Sequence, residues 1–281
     1  MKVTELIRLL RPKQWLKNLM LLFPPFLGGK LFGTGIFGQG FLPIAVFCLA
    51  SSATYIFNDL LDAERDGLHP EKRNRPLASG EVSRWEAFVL LGLLVLLAIV
   101  GATNVSGKFF GLVLGYWAVS CLYTMRLKEV PVVDLFCIAA GFLFRLEAGG
   151  EAFGVAISDW LFLSVFLLSL FLSAGKRLGE VMALGDYASD HRKSLIFYSK
   201  AYLQGTMFMT GAVVLVTYTM YVISRKTLVS TVPLCAFGLM RYVLRVESGE
   251  NGDPTESLLL DGPLFAVGLL WAVMVGWGLY C

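Results

Sequence analysis

Three aspartates at helical spacing are the part of this sequence best equipped for chemistry. They lie in Asn58-Asp59-Leu60-Leu61-Asp62-Ala63-Glu64-Arg65-Asp66, directly after an apolar run. If the helix of that run continues, Asp59, Asp62 and Asp66 stand at i, i+3 and i+7 and fall within about 60° of arc; Asn58 widens the arc to about 100°. Carboxylates gathered on one face repel each other unless a cation joins them. Hard oxygen donors at this spacing suit Mg2+, which usually takes one or two protein carboxylates and completes its shell with substrate phosphates. The plainer reading, a solvated acidic helix end, leaves unexplained why all three point one way at the mouth of an apolar segment. The next stretch, His69-Pro70-Glu71-Lys72-Arg73-Asn74-Arg75-Pro76-Leu77-Ala78-Ser79-Gly80, sets three cations among prolines and a glycine. A metal and several cations together make a clamp for a diphosphate. Alone, the cations need mark only the side of a membrane on which the loop lies. His69 precedes a proline in a loop, and a structural hydrogen bond suits it better than the role of a base.

The elements that must position these residues follow from composition. Of 281 residues, 56% are hydrophobic and 16% charged, with a mean hydropathy of +0.68. A soluble domain carries about 25% charged residues, so a soluble enzyme is not the expected object. Apolar runs cover roughly 17–34, 40–57, 86–103, 108–125, 132–149, 158–175, 204–223, 228–245 and 263–280. Each approaches the ~20 residues that a spanning helix needs. No window alternates as a membrane barrel strand does. The expectation is an all-α polytopic membrane protein of about nine spans, with residues 1–281 forming one transmembrane domain. Leu19 to Gly29 holds Pro24 and Pro25 and no small-x-small cleavage site, so it reads as a retained first helix and not a signal peptide.

The polar links are unequal. The N-terminal arm, 58–85, 126–131, 176–203 and 246–262 fall on one side, and with Arg241 and Arg245 at a span edge this side holds 19 of the 24 Lys and Arg residues. By the positive-inside rule that side, with the N-terminus, is cytoplasmic, and nine spans put Cys281 on the other. Cys48, Cys121, Cys137, Cys235 and Cys281 show no metal-ligand spacing and read as packing residues. Trp15, Trp85, Trp160 and Trp277 near span ends read as interfacial anchors. Arg145 is different. It stands 11 residues after Asp134 in the same apolar run, so about 16 Å deeper along a helix. A charge at that depth usually faces a cavity or a partner; Glu147 and Glu151 are candidate partners, and a substrate is the alternative.

Asn-Asp-x-x-Asp-x-x-x-Asp after the second of about nine spans resembles the UbiA superfamily of intramembrane prenyltransferases. Further segments sharpen the likeness: Arg11-Pro12-Lys13-Gln14-Trp15-Leu16-Lys17-Asn18; Tyr123-Thr124-Met125-Arg126-Leu127-Lys128 followed by Asp134; Gly175-Lys176-Arg177-Leu178-Gly179-Glu180; and Arg241-Tyr242 with Glu247-Ser248-Gly249, Pro254 and Asp261. Together they resemble the decaprenyl-phosphate phosphoribosyltransferase branch nearly end to end. The aromatic prenyltransferases place a second Asp-rich motif after span six. Here Gly175-Lys176-Arg177 stands there, although Asp186 and Asp190 at i, i+4 leave a displaced second metal site open. A second departure is Gly262 after Asp261, where the branch leads one to expect a basic residue.

The resemblance implies a helical bundle with a central cavity opening to the cytoplasmic side of the cell (inner) membrane. It implies phosphoribosyl diphosphate (PRPP) as donor, a polyprenyl phosphate as acceptor, and Mg2+ held by Asp59, Asp62 and Asp66. Lys72, Arg73 and Arg75 would share the charge of the leaving diphosphate. Lys128, Lys176 and Arg177 would meet the donor's 5-phosphate or the lipid phosphate, with Lys17 and Gln14 weaker candidates. Tyr123 would donate to a phosphate oxygen or sit in the interfacial belt, and Asp134 would bind ribose hydroxyls or orient Lys128. Asn58, Arg145 and Glu180 complete the expected substrate contacts. The lipid bilayer is an expected partner, a homo-oligomer is compatible with the sequence, and no nucleic-acid partner is expected. The rival readings are a prenyltransferase acting on an aromatic acceptor and, from another class, a transporter.

Overall fold

Backbone groups inside a bilayer must pair within the chain, and a helix does this locally. The computed structural model follows that rule: all regular structure among the described residues is helical. It describes residues 2–31, 36–67, 72–184, 193–223, 226–250 and 252–281. His69, Asp186 and Asp190 lie outside them. Helix α1 (Lys2–Leu10) leads into a 3-10 helix (Pro12–Leu22) and the short α2 (Phe23–Leu27). Then come α3 (Ile36–Gly67), α4 (Arg84–Val105), α5 (Gly107–Met125), α6 (Val133–Ala152) and α7 (Asp159–Leu184). After these follow α8 (Lys200–Ile223), α9 (Val232–Glu247), α10 (Pro254–Leu260) and α11 (Gly262–Tyr280).

Among the described residues seven helices are long and apolar enough to cross a membrane: Gly40–Gly67, Arg84–Val105, Gly107–Met125, Asp159–Ala183, Lys200–Ile223, Leu228–Glu247 and Gly262–Tyr280. Two of the nine expected spans are not among them, each for a physical reason. The first is divided between the 3-10 helix and α2, because Pro24 and Pro25 can begin a helix but cannot continue one. The fifth is α6, long enough at about 30 Å but carrying Asp134, Arg145, Glu147 and Glu151.

The chain divides into two compact units. The first comprises Met1–Pro24, Phe32–Met125 and Phe144–Val155, and the second comprises Pro25–Leu31, Arg126–Leu143 and Ala156–Cys281. In the first, fully buried Ala50, Ala98 and Ala102 accompany Phe47, Phe109 and Val113. Small side chains of this kind let membrane helices approach closely. Leu9, Ile56, Leu77, Val82 and Leu94 form a second cluster that fastens α1 and the 72–82 loop to α3 and α4. In the second unit, Phe171, Leu178, Leu203, Met207, Tyr242 and Val246 join α7, α8 and α9.

Candidate functional site

Helix α3 continues to Gly67, so its last three turns carry the aspartates as the spacing predicts. Asp59 and Asp66 are 2% and 5% exposed, while Asp62 and Asn58 are half-buried. Arg75 Nη1 stands 3.2 Å from Asp59 Oδ1 and 2.5 Å from Asp66 Oδ2. The two carboxylates therefore converge on one cation. Arg11 adds a second guanidinium, 2.5 Å from Asp59 Oδ1 and stacked over Tyr55 at 5.0 Å.

The surrounding chain sets these arginines in place. Arg11 has φ +53 where α1 gives way to the 3-10 helix, and this left-handed turn folds the arm back. Ser52 Oγ donates to Leu10 O, and Trp15 Nε1 donates to Ser52 Oγ. Trp15 thus ties the arm to α3, whereas Trp85 and Trp277 are exposed as anchors would be. The 72–82 loop is closed by Arg75 N donating to Lys72 O and Val82 N to Pro76 O. Buried Leu77 and Val82 sink the loop into the core, which leaves Arg75 turned toward α3. Lys72 is half-buried and Arg73 exposed on the same turn.

Among the described residues no three Asp, Glu, His or Cys side chains are grouped so as to hold a metal ion. The donor set still fits a hard divalent cation in kind: two carboxylates already meeting at one positive charge, with a third a turn away.

Arg145, on α6, is 5% exposed and faces partners within the protein. Its Nε donates to Asn18 Oδ1 at 2.9 Å and its Nη2 to the Tyr116 hydroxyl at 3.1 Å, and the guanidinium lies 4.7 Å from the Tyr116 ring centre. Asn18 in turn donates to Ser51 Oγ. The close approach needs Gly149, where a Cβ would stand 2.3 Å from Leu21 O. Glu151, one of the expected partners, accepts instead from Ser106 and pairs with Lys108. Lys17 is half-buried beside Asn18, and Tyr123 is half-buried near the end of α5.

The second unit gathers the remaining candidates. Arg177, 2% exposed, donates from Nε to Asp134 Oδ2 at 2.9 Å and from Nη1 to Glu180 Oε2 at 2.7 Å. Asp134 is fully buried, and its other oxygen accepts from the Tyr198 hydroxyl at 2.5 Å. Lys128 is half-buried on the turn Leu127–Glu129. Lys176 pairs with Asp253 at 2.9 Å. A Cβ on Gly252 would stand 2.6 Å from Gly175 O and one on Gly179 2.9 Å from Gly252 N, so Gly252 and Gly179 let this loop lie against α7. Asp253 also caps α10, accepting from Thr255 N and Glu256 N, and so holds a fixed position for Lys176.

Nearby, Arg241 and Arg245 both donate to Asp261, and Arg245 also pairs with Glu250. The Arg241 guanidinium, aided by Arg245, holds the Asp261 carboxyl well below the usual carboxylate range. Asp261 also caps α11 by accepting from Leu264 N, a task that does not depend on the residue at position 262.

The sequence reading did not single out Arg11, Asn18, Tyr116, Tyr198 or Asp253 as site residues. Arg11 and Asn18 were within reach, because both fall in the opening Arg-Pro-Lys-Gln-Trp segment. The others carry no local signal.

The UbiA prenyltransferase family model matches residues 22–267. The decaprenyl-phosphate phosphoribosyltransferase of Mycolicibacterium smegmatis is 32% identical, covering 99% of this chain and 93% of its own length. That of Mycobacterium tuberculosis is 31% identical, covering 98% and 94%. A UbiA homolog from Archaeoglobus fulgidus, solved with GPP and Mg2+, superposes with a TM-score of 0.75 at 22% identity, over 98% of both chains. With aspartates clustered at the end of a spanning helix, and matched across nearly its whole length, the chain belongs to the UbiA prenyltransferase family.

Proposed function

We propose that this chain transfers the 5-phosphoribosyl group from PRPP to a polyprenyl phosphate, giving polyprenyl-phosphoryl-5-phosphoribose and diphosphate, with Mg2+ as its resident ion. The observation that carries the reading is the near-complete alignment with decaprenyl-phosphate phosphoribosyltransferases. In the reaction the bond from ribose C1 to the diphosphate oxygen breaks, and a phosphate oxygen of the lipid bonds to C1. The nucleophile is already anionic, so no strong general base is required. Mg2+ held by Asp59 and Asp66, with Asp62 beside them, would draw off the charge that builds on the leaving diphosphate. Arg75, Lys72 and Arg73 flank that position. Lys128, Lys176 and Arg177 supply positive charge for the 5-phosphate or the lipid phosphate. The whole chain acts as one membrane transferase domain, with its site on the cytoplasmic face where most Lys and Arg lie.

Donor choice tests the reading. Purified protein in nanodiscs would receive Mg2+, a polyprenyl phosphate and labelled PRPP, beside a second reaction holding a prenyl diphosphate and an aromatic acid. Label entering the lipid phase establishes phosphoribosyl transfer. Prenylation of the aromatic acid, with no label in lipid, rejects it.

Two substitutions refine the assignment. Lys176→Ala is expected to raise the PRPP KM about tenfold, the loss of one charge-assisted phosphate contact; wild-type kinetics would remove Lys176 from the donor site. Arg145→Leu is expected to lower turnover more than tenfold, by more than it lowers the yield of folded protein, because Asn18 and Tyr116, the partners its guanidinium reaches, are neutral and need no counter-charge once it is gone. Normal turnover would make Arg145 a packing residue.

A further inference from the structure

Three observations meet at Tyr198, which sequence spacing does not mark. Val132 has φ +68, a left-handed conformation that β-branched residues rarely adopt. Its amide donates to the Tyr198 hydroxyl at 2.5 Å. The same hydroxyl donates to Asp134 Oδ1 at 2.5 Å, while Asp134 Oδ2 accepts from Arg177. One phenol oxygen thus fixes an unfavourable backbone turn and one end of a fully buried ion pair. Tyr198 is 4% exposed and stacks on Tyr202 at 5.8 Å, so its ring has little freedom to leave. Burial, with the adjoining Asp134 carboxylate, pushes its pKa up, so the hydroxyl stays protonated and donating. Four residues earlier on the same segment, buried Ser194 donates to Lys128 O at 3.1 Å. The segment 194–198 therefore grips both ends of the 128–134 connection, at Lys128 and at Val132 with Asp134.

We propose that Tyr198 is a positioning residue for the phosphoribosyl donor: its hydroxyl locks the Val132 turn, and with it the setting of Lys128 and Arg177. This rests on the function proposed above. The reacting groups never touch Tyr198. Its effect passes through a loop that relaxes when the hydroxyl is lost, since nothing else described accepts from the Val132 amide in that strained conformation.

Tyr198→Phe in the full chain, reconstituted in nanodiscs, is expected to raise the PRPP KM about tenfold, the loss of one hydrogen bond to a charged group. The polyprenyl phosphate KM stays near wild type, and the thermal midpoint falls by only a few degrees, the cost of a buried hydrogen bond in a chain of this size. Amide exchange across 126–132, measured without substrate, quickens about tenfold. Adding Val132→Gly to Tyr198→Phe restores the PRPP KM, because glycine holds a positive φ unaided; Val132 is already 39% exposed, so little packing is lost. Wild-type exchange and a wild-type PRPP KM in Tyr198→Phe would overturn the proposal. So would a uniform loss of kcat, both KM values and the thermal midpoint that the glycine does not rescue. If the wild-type protein moves no label from PRPP, the functional reading fails by itself, and the exchange result still decides whether Tyr198 holds the turn.

Discussion

Asp59→Ala and Asp66→Ala are each expected to reduce turnover by about a thousandfold, the equivalent of about 4 kcal/mol of transition-state stabilisation. Both carboxylates reach one guanidinium, so each supplies half of a place where two buried acids of α3 face a single cation. A hard divalent ion bound there loses a ligand in either variant, and the charge on the leaving diphosphate goes uncompensated. Folding should survive. Arg11 and Arg75 have side chains 25% and 26% exposed, so water can solvate them once the acid is gone, and partly exposed ion pairs contribute little, about 0–1 kcal/mol. The check is a Mg2+ titration of initial rate beside a thermal midpoint in detergent. Variants that keep Mg2+-dependent turnover would defeat the metal assignment. Variants that lose their midpoint along with their activity would show that the aspartates chiefly hold the arm and the 72–82 loop to α3.

This site was legible in the sequence to the extent that its logic is periodic. Asp59, Asp62 and Asp66 could be placed on one face because a helix of Leu and Ala has no reason to stop before Gly67. Arg75 was visible as a candidate among three cations. Its distinction from Arg73 was not, because that depends on Leu77 and Val82 being buried. Arg11 reads as one more basic residue of a cytoplasmic arm, and only its left-handed backbone brings it to Asp59. The spans follow hydropathy closely except at the paired prolines, which divide the first run, and in α6, a helix that forms as expected but carries four charged residues. That Arg145 needs partners followed from its place in an apolar run, while those partners, Asn18 and Tyr116, come from segments 127 and 29 residues away. Long-range pairing of this kind leaves no spacing to read. Asp134 and Arg177, 43 residues apart, are a second instance, since Arg177 looked like a phosphate contact and Asp134 like a ribose contact or a partner for Lys128.

That buried pair gives the other large expected effect. Arg177→Met is expected to destabilise the protein by about 3–5 kcal/mol, because it leaves the fully buried Asp134 carboxylate without its guanidinium. Such a loss is a large share of the ~5–15 kcal/mol that holds a typical fold, so the yield of folded protein should fall sharply. Asp134→Leu combined with Arg177→Met removes both charges together, and an apolar replacement of a buried pair is often neutral. The double variant should therefore recover its thermal midpoint. Its Tyr198 hydroxyl still accepts from Val132 N, so the turn keeps one of its two restraints. Activity should not recover with the fold. Glu180 loses the guanidinium that held it, and the α7 turn carrying Lys176 loses its anchor to α6. A raised PRPP KM in a folded double variant would show that the pair positions donor-binding groups. Full activity together with the recovered midpoint would show that the pair serves folding alone, and would move the search for the 5-phosphate contact to Lys128 and Lys176.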